Sequence, residues 1–528
     1  MALHASRLPL FHALRATRHA GMMLRGARFV NMAAAASAPK REGDISDAFA
    51  SLSGQKEEPL PDRYRLLKLS LVAGCEREIQ DSWDRLLVAL RAETEVIASG
   101  GSRVIPEVQF SRLGSDLPRL RGEIQKRGAA VIRGVIPKAE ARAYKNEIEE
   151  YIRKNPTTRG FPAHDPQVFE LYWSAPQIKA RAHPNLLRTQ RALLSTLWHV
   201  GAASAGQEEE PLVDLSTPLA YADRLRIRQP GDASFALGPH QDGGSVERWD
   251  PDGYGRGRVY DSVLAGRWDA LDPWDAGARV GAVCNLHDGL GACSAFRALQ
   301  GWLSMSACGP GRGTLLVYPN PALSAAYTLL RPFFRPVRPH GAFGGVGGGG
   351  DGGVASEGFL RAENWAFTAG RDMTSDLQGA TPGRGQEFPR AELHPHLELA
   401  RTMVPMPEVE PGDYVVWHCD TIHAVDPKHG GTSDSSVLYI PVCPVTELNA
   451  EYLVRQRQAF LAGTPGPDFP GGKGESEHVG RSTAEYARTH LGLEGLQAFG
   501  LEKLTIPDGI RPGARAVLEK ANRILGFE

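Results

Sequence analysis

The chain contains no apolar run of about eighteen residues or more, so no helix that crosses a bilayer is expected. It also lacks an excess of charge. Lys and Arg number 60 against 61 Asp and Glu, a net charge of −1. That balance leaves no basic footprint for nucleic acid and none for an acidic membrane surface. Cysteine is scarce and unpatterned: Cys75, Cys284, Cys293, Cys308, Cys419 and Cys443 include no Cys-x-x-Cys pair. This argues against a zinc ribbon or a thioredoxin-like site and fits buried free thiols in a reducing compartment. No acidic residue precedes Glu42, whereas Arg7, Arg15, Arg18, Arg25 and Arg28 alternate with Leu, Phe, Met and Ala. Such an Arg-rich, acid-free start predicts a transit peptide over 1–39, mitochondrial first, with plastid or cytoplasmic location as alternatives.

At 528 residues there is room for a large core with additions. Residues 40–62 read as a polar linker, and 63–128 as a helical N-terminal segment. Within the latter, Trp83, Leu86, Leu87, Leu90 and Ile97 recur at helical spacing, and a second helix over Leu117–Lys126 ends at Gly128. Ala129–Arg133 reads as a buried strand and Glu140–Ile152 as a helix, both expected to pack outside a β-core. From Ala220 onward short strands separated by Gly/Pro turns dominate. In Ala220–Gln229, Leu225 and Ile227 alternate with Arg224, Arg226 and Arg228, the pattern of a half-buried strand. Residues 340–358 form a Gly-rich insertion that cannot bury a core. After Thr446 the pattern is helical again, interrupted by a Gly/Pro-rich loop over 463–474. The expected fold is mainly β with flanking helices: a double-stranded β-helix (jelly roll) over 129–445 and a helical extension over 446–528.

Two stretches hold the chemistry. Gly238-Pro-His-Gln-Asp-Gly-Gly244 places His240 and Asp242 two residues apart, hence on one face of a strand, with glycines that let backbone approach closely. Pro411-Gly-Asp-Tyr-Val-Val-Trp-His-Cys-Asp-Thr-Ile-His423 supplies His423. Two imidazoles and one carboxylate with open positions beside them suit non-haem Fe(II). The spacing alone is weak. With 16 histidines about one His-x-Asp arises by chance, and His418-Cys419-Asp420 is a second copy. That copy lies five residues before His423, too close for strands to pass between the ligands, so His418 is read as packing at the start of a strand. Asn285 and His287 are weaker pocket candidates. Trp249, Trp268, Trp274 and Trp302 are read as core more than as substrate platform.

Longer motifs resemble known families. Gly412-Asp413, Trp417-His418 and His423 resemble the second half-site of phytanoyl-CoA-hydroxylase-like 2-oxoglutarate oxygenases. Glu170-Leu-Tyr-Trp-Ser174, Pro239–Trp249, Asp272–Ala276, Phe296–Trp302, Leu330–Phe333 and Ser435–Pro441 are similar to the YbiU-like family of uncharacterised proteins taken to be oxygenases, over about residues 60–500. The resemblance implies a double-stranded β-helix with His240, Asp242 and His423 as iron ligands, and 2-oxoglutarate and O₂ as cosubstrates for oxidation of a small-molecule substrate. One feature departs from the pattern. The Arg that often follows the distal His by about ten residues is absent from Thr432-Ser-Asp-Ser-Ser436. Arg297 is the first candidate to bind the far carboxylate bidentately, with Lys428 and Arg228 behind it. Two other readings use the same residues: a jelly-roll binding protein without turnover, and a cupin-type hydrolase or isomerase with Zn(II) or Mn(II).

Overall fold

Gly128 closes the helix Leu113–Arg127 in a left-handed conformation (φ 61°), its N–H bonded to Ile124 O, and hands the chain directly to a strand. The structure, a computed structural model, describes residues 59–201, 210–289, 291–343 and 355–528. The expected transit peptide, most of the 40–62 linker and the centre of the Gly-rich insertion lie outside the described residues. No described helix is long and apolar enough to cross a membrane.

In chain order the first nine strands are β1 (Glu107–Gln109), β2 (Ala129–Arg133), β3 (Gly160–Phe161), β4 (Val168–Phe169), β5 (Asp214–Leu219), β6 (Leu225–Arg228), β7 (Gln241–Asp242), β8 (Leu299–Ser304) and β9 (Leu315–Val317). Then follow β10 (Phe334–Pro336), β11 (Trp365–Phe367), β12 (Gln386–Glu387), β13 (Val404–Pro405), β14 (Tyr414–His418), β15 (His423–Val425), β16 (Ser435–Tyr439) and β17 (Cys443–Val445). Eight of them form one mixed sheet in the order β1-β2-β14-β8-β16-β6-β4-β3, in which only β1 and β2 run parallel. A three-stranded sheet, β13-β9-β15, is joined to the β12-β7 pair through a bridge between His240 and His423. The architecture is α+β, and among the described residues the strands do not close into a barrel.

Both faces of the large sheet are covered, and β14, Tyr-Val-Val-Trp-His, is buried along its whole length. On β14, Val415 and Trp417 enter a core shared with Leu315, Val317 and Ile422 of the smaller sheet layer. Tyr414 and Val416 point the other way, into a core with Leu299, Leu303 and Leu438 and with the helices Leu113–Arg127 and Pro184–Leu197. Two expectations change here. Ala129–Arg133 does not pack outside the β-core: it is β2, paired along its length with β14 inside the large sheet. His418 ends β14 and does not begin it.

The C-terminal helices Glu447–Ala462, Ala484–His490 and Pro512–Ile524 build a third core against Leu219, Tyr221 and Cys443. Glu475 fastens this extension to the body. Its carboxylate accepts the N–H of Tyr172 (2.6 Å) and Trp173 (2.9 Å) and the hydroxyl of Tyr151 (3.1 Å). Burial outweighs those bonds and pushes the carboxyl up to about 7. Because the folded value exceeds the unfolded one, this group's contribution is full below the ordinary carboxyl range. It falls as pH rises through about 7, by roughly 3 kcal/mol at most. Glu475→Gln keeps the shape, so urea unfolding is expected to show the variant gaining stability relative to wild type between pH 5 and pH 8.

Candidate metal centre

His240 and His423 face each other across the bridge, each backbone N–H bonded to the other's carbonyl at 2.9 Å. Their rings lie 4.0 Å apart between centroids. Each Nδ1 is 2.8 Å (His240) or 3.0 Å (His423) from a carbonyl two residues earlier, Gly238 O or Thr421 O. With Nδ1–H donating there, each Nε2 presents its lone pair to the pocket, the tautomer a metal requires. Both Nε2 atoms lie 3.8 Å from an oxygen of Asp242. Two ligands about 2.1 Å from one ion can be up to about 4.2 Å apart, so these separations suit a shared cation. The three ligand atoms lie within 4.8 Å of one another.

Local sequence explains the placement. Gly243 (φ 84°) and Gly244 (φ 101°) turn the chain sharply away after Asp242, and a Cβ on Gly244 would sit 3.0 Å from Cys284 O. Asp242 is fixed by two amides: Gln386 donates to Oδ1 (2.6 Å) and Gln300 to Oδ2 (2.7 Å). Burial drives His423 down to about 3, helped by the neighbouring His240, and burial lowers His240 too. Burial alone would raise the Asp242 carboxyl. The fields of His423, His240 and Arg297 and the Gln386 bond overcome it and hold the group below the usual carboxylate range. Neutral imidazoles beside an ionised carboxylate are the protonation states of a divalent-cation site.

The cluster opens onto a pocket of about 130 Å³. Of the arginine and lysine candidates the structure brings only Arg297 there. Its Nη2 is 3.6 Å from Asp242 Oδ2, its Nη1 3.9 Å from Asp223 Oδ2, and its guanidinium stands 5.3 Å over the Tyr221 ring. Arg228 is engaged elsewhere, donating to Asp232 Oδ2 (2.7 Å) and Asp426 O (2.9 Å). Lys428 is exposed where the chain leaves β15, and neither it nor Arg228 lines the pocket. Asn285 accepts from Gly289 N (3.1 Å), and neither it nor His287 is in the pocket wall. Trp249 and Trp274 are core, donating to Leu329 O (3.0 Å) and Gln125 O (3.1 Å). Trp302 does line the pocket, edge-on to Trp417 at 5.7 Å.

Sequence reasoning missed Gln300, Gln386, Trp417 and Arg226. Arg226 could have been found: the alternation on β6 was visible, but the strand is buried on both faces, not half-buried. Leu225 and Ile227 pack into the helical layer, and Arg226 turns inward to the pocket. Its Nη2 donates to Gln167 Oε1 (3.1 Å) and to Phe235 O, while its buried Nε has no partner among the described residues. The second His-x-Asp copy also brings its ligand atoms within 4.8 Å of one another, with Cys419, but its side chains are engaged by protein. His418 stacks on Trp198 (5.0 Å) and bonds Pro273 O (2.9 Å), and Asp420 pairs with Arg248 (3.2 Å) and with Arg279.

Comparison with known proteins agrees over most of the chain. The YbiU protein of Escherichia coli (strain K12), itself uncharacterised, is 30% identical over 425 residues, 78% of this chain and 89% of that protein. The crystal structure of GlcNAc Inducible Gene 2 (GIG2) from Candida albicans is similar with TM-score 0.73 and 29% identity, covering 89% of this chain and 96% of that one. A Salmonella typhimurium LT2 protein provisionally designated an oxidoreductase has TM-score 0.67 and 29% identity, covering 84% and 99% respectively. A family profile described as Gig2-like matches residues 58–501, and the chain belongs to the Gig2-like family.

Proposed function

We propose that the protein is an Fe(II)- and 2-oxoglutarate-dependent oxygenase acting on a small organic substrate. The observation that carries this reading is the convergence of His240 Nε2, His423 Nε2 and the Asp242 carboxylate on one side of a buried pocket. Two histidines and a carboxylate with open positions beside them are the donor set of non-haem Fe(II) oxygenases. Three further facts support it. Strands alternate between layers, β6, β8, β14 and β16 in the large sheet and β7, β9 and β15 outside it, as a double-stranded β-helix requires. Gln300 and Gln386 hold the carboxylate in one rotamer, the outer support that ligand carboxylates need. The Salmonella relative's provisional designation as an oxidoreductase agrees.

Iron bound here, with 2-oxoglutarate and O₂, supplies oxidation of a C–H bond coupled to loss of CO₂ and formation of succinate. The chain's own residues bind, orient and exclude water. Arg297 is too near Asp242 to reach the far end of a five-carbon diacid held through its keto-acid end. We assign that carboxylate to Arg226. It lines the pocket and is the cross-strand partner of Val437 on β16, the strand that follows His423. Its guanidinium charge suits a carboxylate. Trp302 and Trp417 wall the pocket and keep water from the reacting atoms.

The test is Fe(II)-dependent conversion of 2-oxoglutarate to succinate. Arg226→Gln is expected to raise KM for 2-oxoglutarate by about tenfold or more, the cost of a lost charged hydrogen bond, with iron affinity unchanged. Succinate release independent of iron, or an Arg226 variant with unaltered KM, would contradict the assignment.

A further inference from the structure

Arg297 stands in the wall of the metal pocket with its donors uncommitted. Its side chain is only 12% exposed, yet among the described residues its guanidinium makes no hydrogen bond. The nearest anions, Asp242 Oδ2 at 3.6 Å and Asp223 Oδ2 at 3.9 Å, both lie beyond hydrogen-bond reach. A largely buried cation with unmet donors is costly unless a ligand supplies the acceptor.

Asp223, which lines the same pocket, is its counterpart. Its Oδ1 accepts the backbone N–H (2.7 Å) and the Nε–H (3.1 Å) of Arg224, whereas its Oδ2 accepts no hydrogen bond among the described residues. Its backbone carbonyl is gripped by the buried Arg181, so the fold fixes where this carboxylate stands. Asp468 offers no such opening. Its carboxylate already accepts the Tyr221 hydroxyl (2.8 Å), Ser294 N–H (3.1 Å) and the Ser294 hydroxyl.

Charge narrows the choice of guest. Arg224, Arg226 and Arg297 are matched in the pocket wall by Asp223, Asp242 and Asp468. Fe(II) and the 2-oxoglutarate dianion cancel one another as well. A guest of net charge would therefore be buried without a counter-ion, whereas one carrying both signs would not. Distance agrees. In an α-amino acid the ammonium nitrogen and the nearer carboxylate oxygen are about 3 Å apart by standard bond lengths. Charged hydrogen bonds of about 2.8 Å at each end then match a donor and an acceptor separated by 3.9 Å.

We infer that the substrate is an α-amino acid, its carboxylate held by Arg297 and its ammonium by Asp223 Oδ2. The inference rests on the oxygenase reading for the reaction, but the binding pair stands apart from it. Because Arg297 Nη2 is 3.6 Å from Asp242 Oδ2, the head of the substrate is anchored beside the metal position.

The test is isothermal titration of the Fe(II)- and 2-oxoglutarate-loaded protein, without oxygen, with the proteinogenic L-amino acids. Each is compared with the amine that lacks its carboxylate and the acid that lacks its ammonium. At least one amino acid is expected to bind, and both of its analogues about tenfold or more weakly, the effect of one lost charged hydrogen bond. Arg297→Gln should erase the preference over the amine, and Asp223→Asn the preference over the acid, with 2-oxoglutarate affinity unchanged in both. Loaded protein that binds no amino acid overturns the inference. So does an Arg297→Gln protein that loses affinity for 2-oxoglutarate and keeps it for the amino acid. Failure to take up iron and 2-oxoglutarate sinks the oxygenase reading instead. Amino-acid binding to the metal-free protein that Arg297→Gln removes would then retain the binding pair, and no such binding would remove both.

Discussion

His423→Ala is expected to abolish iron binding and turnover together while the protein stays folded. The bridge to His240 runs through backbone N–H and C=O groups at 2.9 Å, which alanine retains, so the strand pairing survives the loss of the ring. His240→Ala should behave the same way for the same reason. Replacing an amide that only supports Asp242 should cost less. Gln386→Ala removes one 2.6 Å bond to Oδ1 and is expected to weaken iron binding about 10–100-fold, the usual penalty for losing an outer partner of a metal ligand. Isothermal titration with Fe(II) under anaerobic conditions, alongside circular dichroism, checks the ranking. A His423→Ala protein that retains full iron occupancy would remove this residue from the ligand set.

Asp420→Ala is expected to cause the largest loss of stability of any single change proposed. Asp420 is fully buried and pairs with two buried guanidiniums, Arg248 at 3.2 Å and Arg279 closer still, and it accepts the Tyr260 hydroxyl at 3.0 Å. Deleting the carboxylate leaves Arg279 in the interior without its counter-charge and Arg248 with only Glu387, 3.4 Å from its Nε. Breaking a buried pair from one side costs about 3–5 kcal/mol, and here one residue serves two partners. Arg248 also donates to Asp242 O (2.6 Å), so the disturbance reaches the ligand loop. Asp420→Asn is the milder form, with smaller destabilisation and, per folded molecule, iron content close to wild type. Were the His418–Asp420 group the true metal site, Asp420→Asn would lose iron and His240→Ala would keep it. Thermal unfolding with metal analysis of the folded fraction separates the outcomes.

Local signals announced much of this. The glycines around His240 and Asp242, the Gly128 stop, the helices near 80–97 and 450–461 and the β14 run all rest on short-range patterns, and each element lies close to its expected place. What the sequence hid is register between distant strands. Gln386 meets Asp242 through the pairing of β12 with β7, a contact across 144 residues that no local pattern encodes. The arginines of β6 misled for a related reason. A period of two tells which residues share a face but not whether the other face is wet, and here the arginine side assigned to solvent is buried too, with Arg226 in the pocket wall. Ala129–Arg133 looked peripheral because its neighbours in sequence are helices, whereas its partner in space is β14. Lys428 stands exposed and outside the pocket wall, although it is only five residues from His423 in sequence.

The most direct test of a shared cation is anaerobic titration of the metal-free protein with Fe(II) and then 2-oxoglutarate, followed by visible absorption. The account predicts one iron per chain and a charge-transfer band that grows only when both are present, and that is missing from His240→Ala. Tight zinc retention with no iron-dependent 2-oxoglutarate binding, or an unchanged band in the His240 variant, would contradict it.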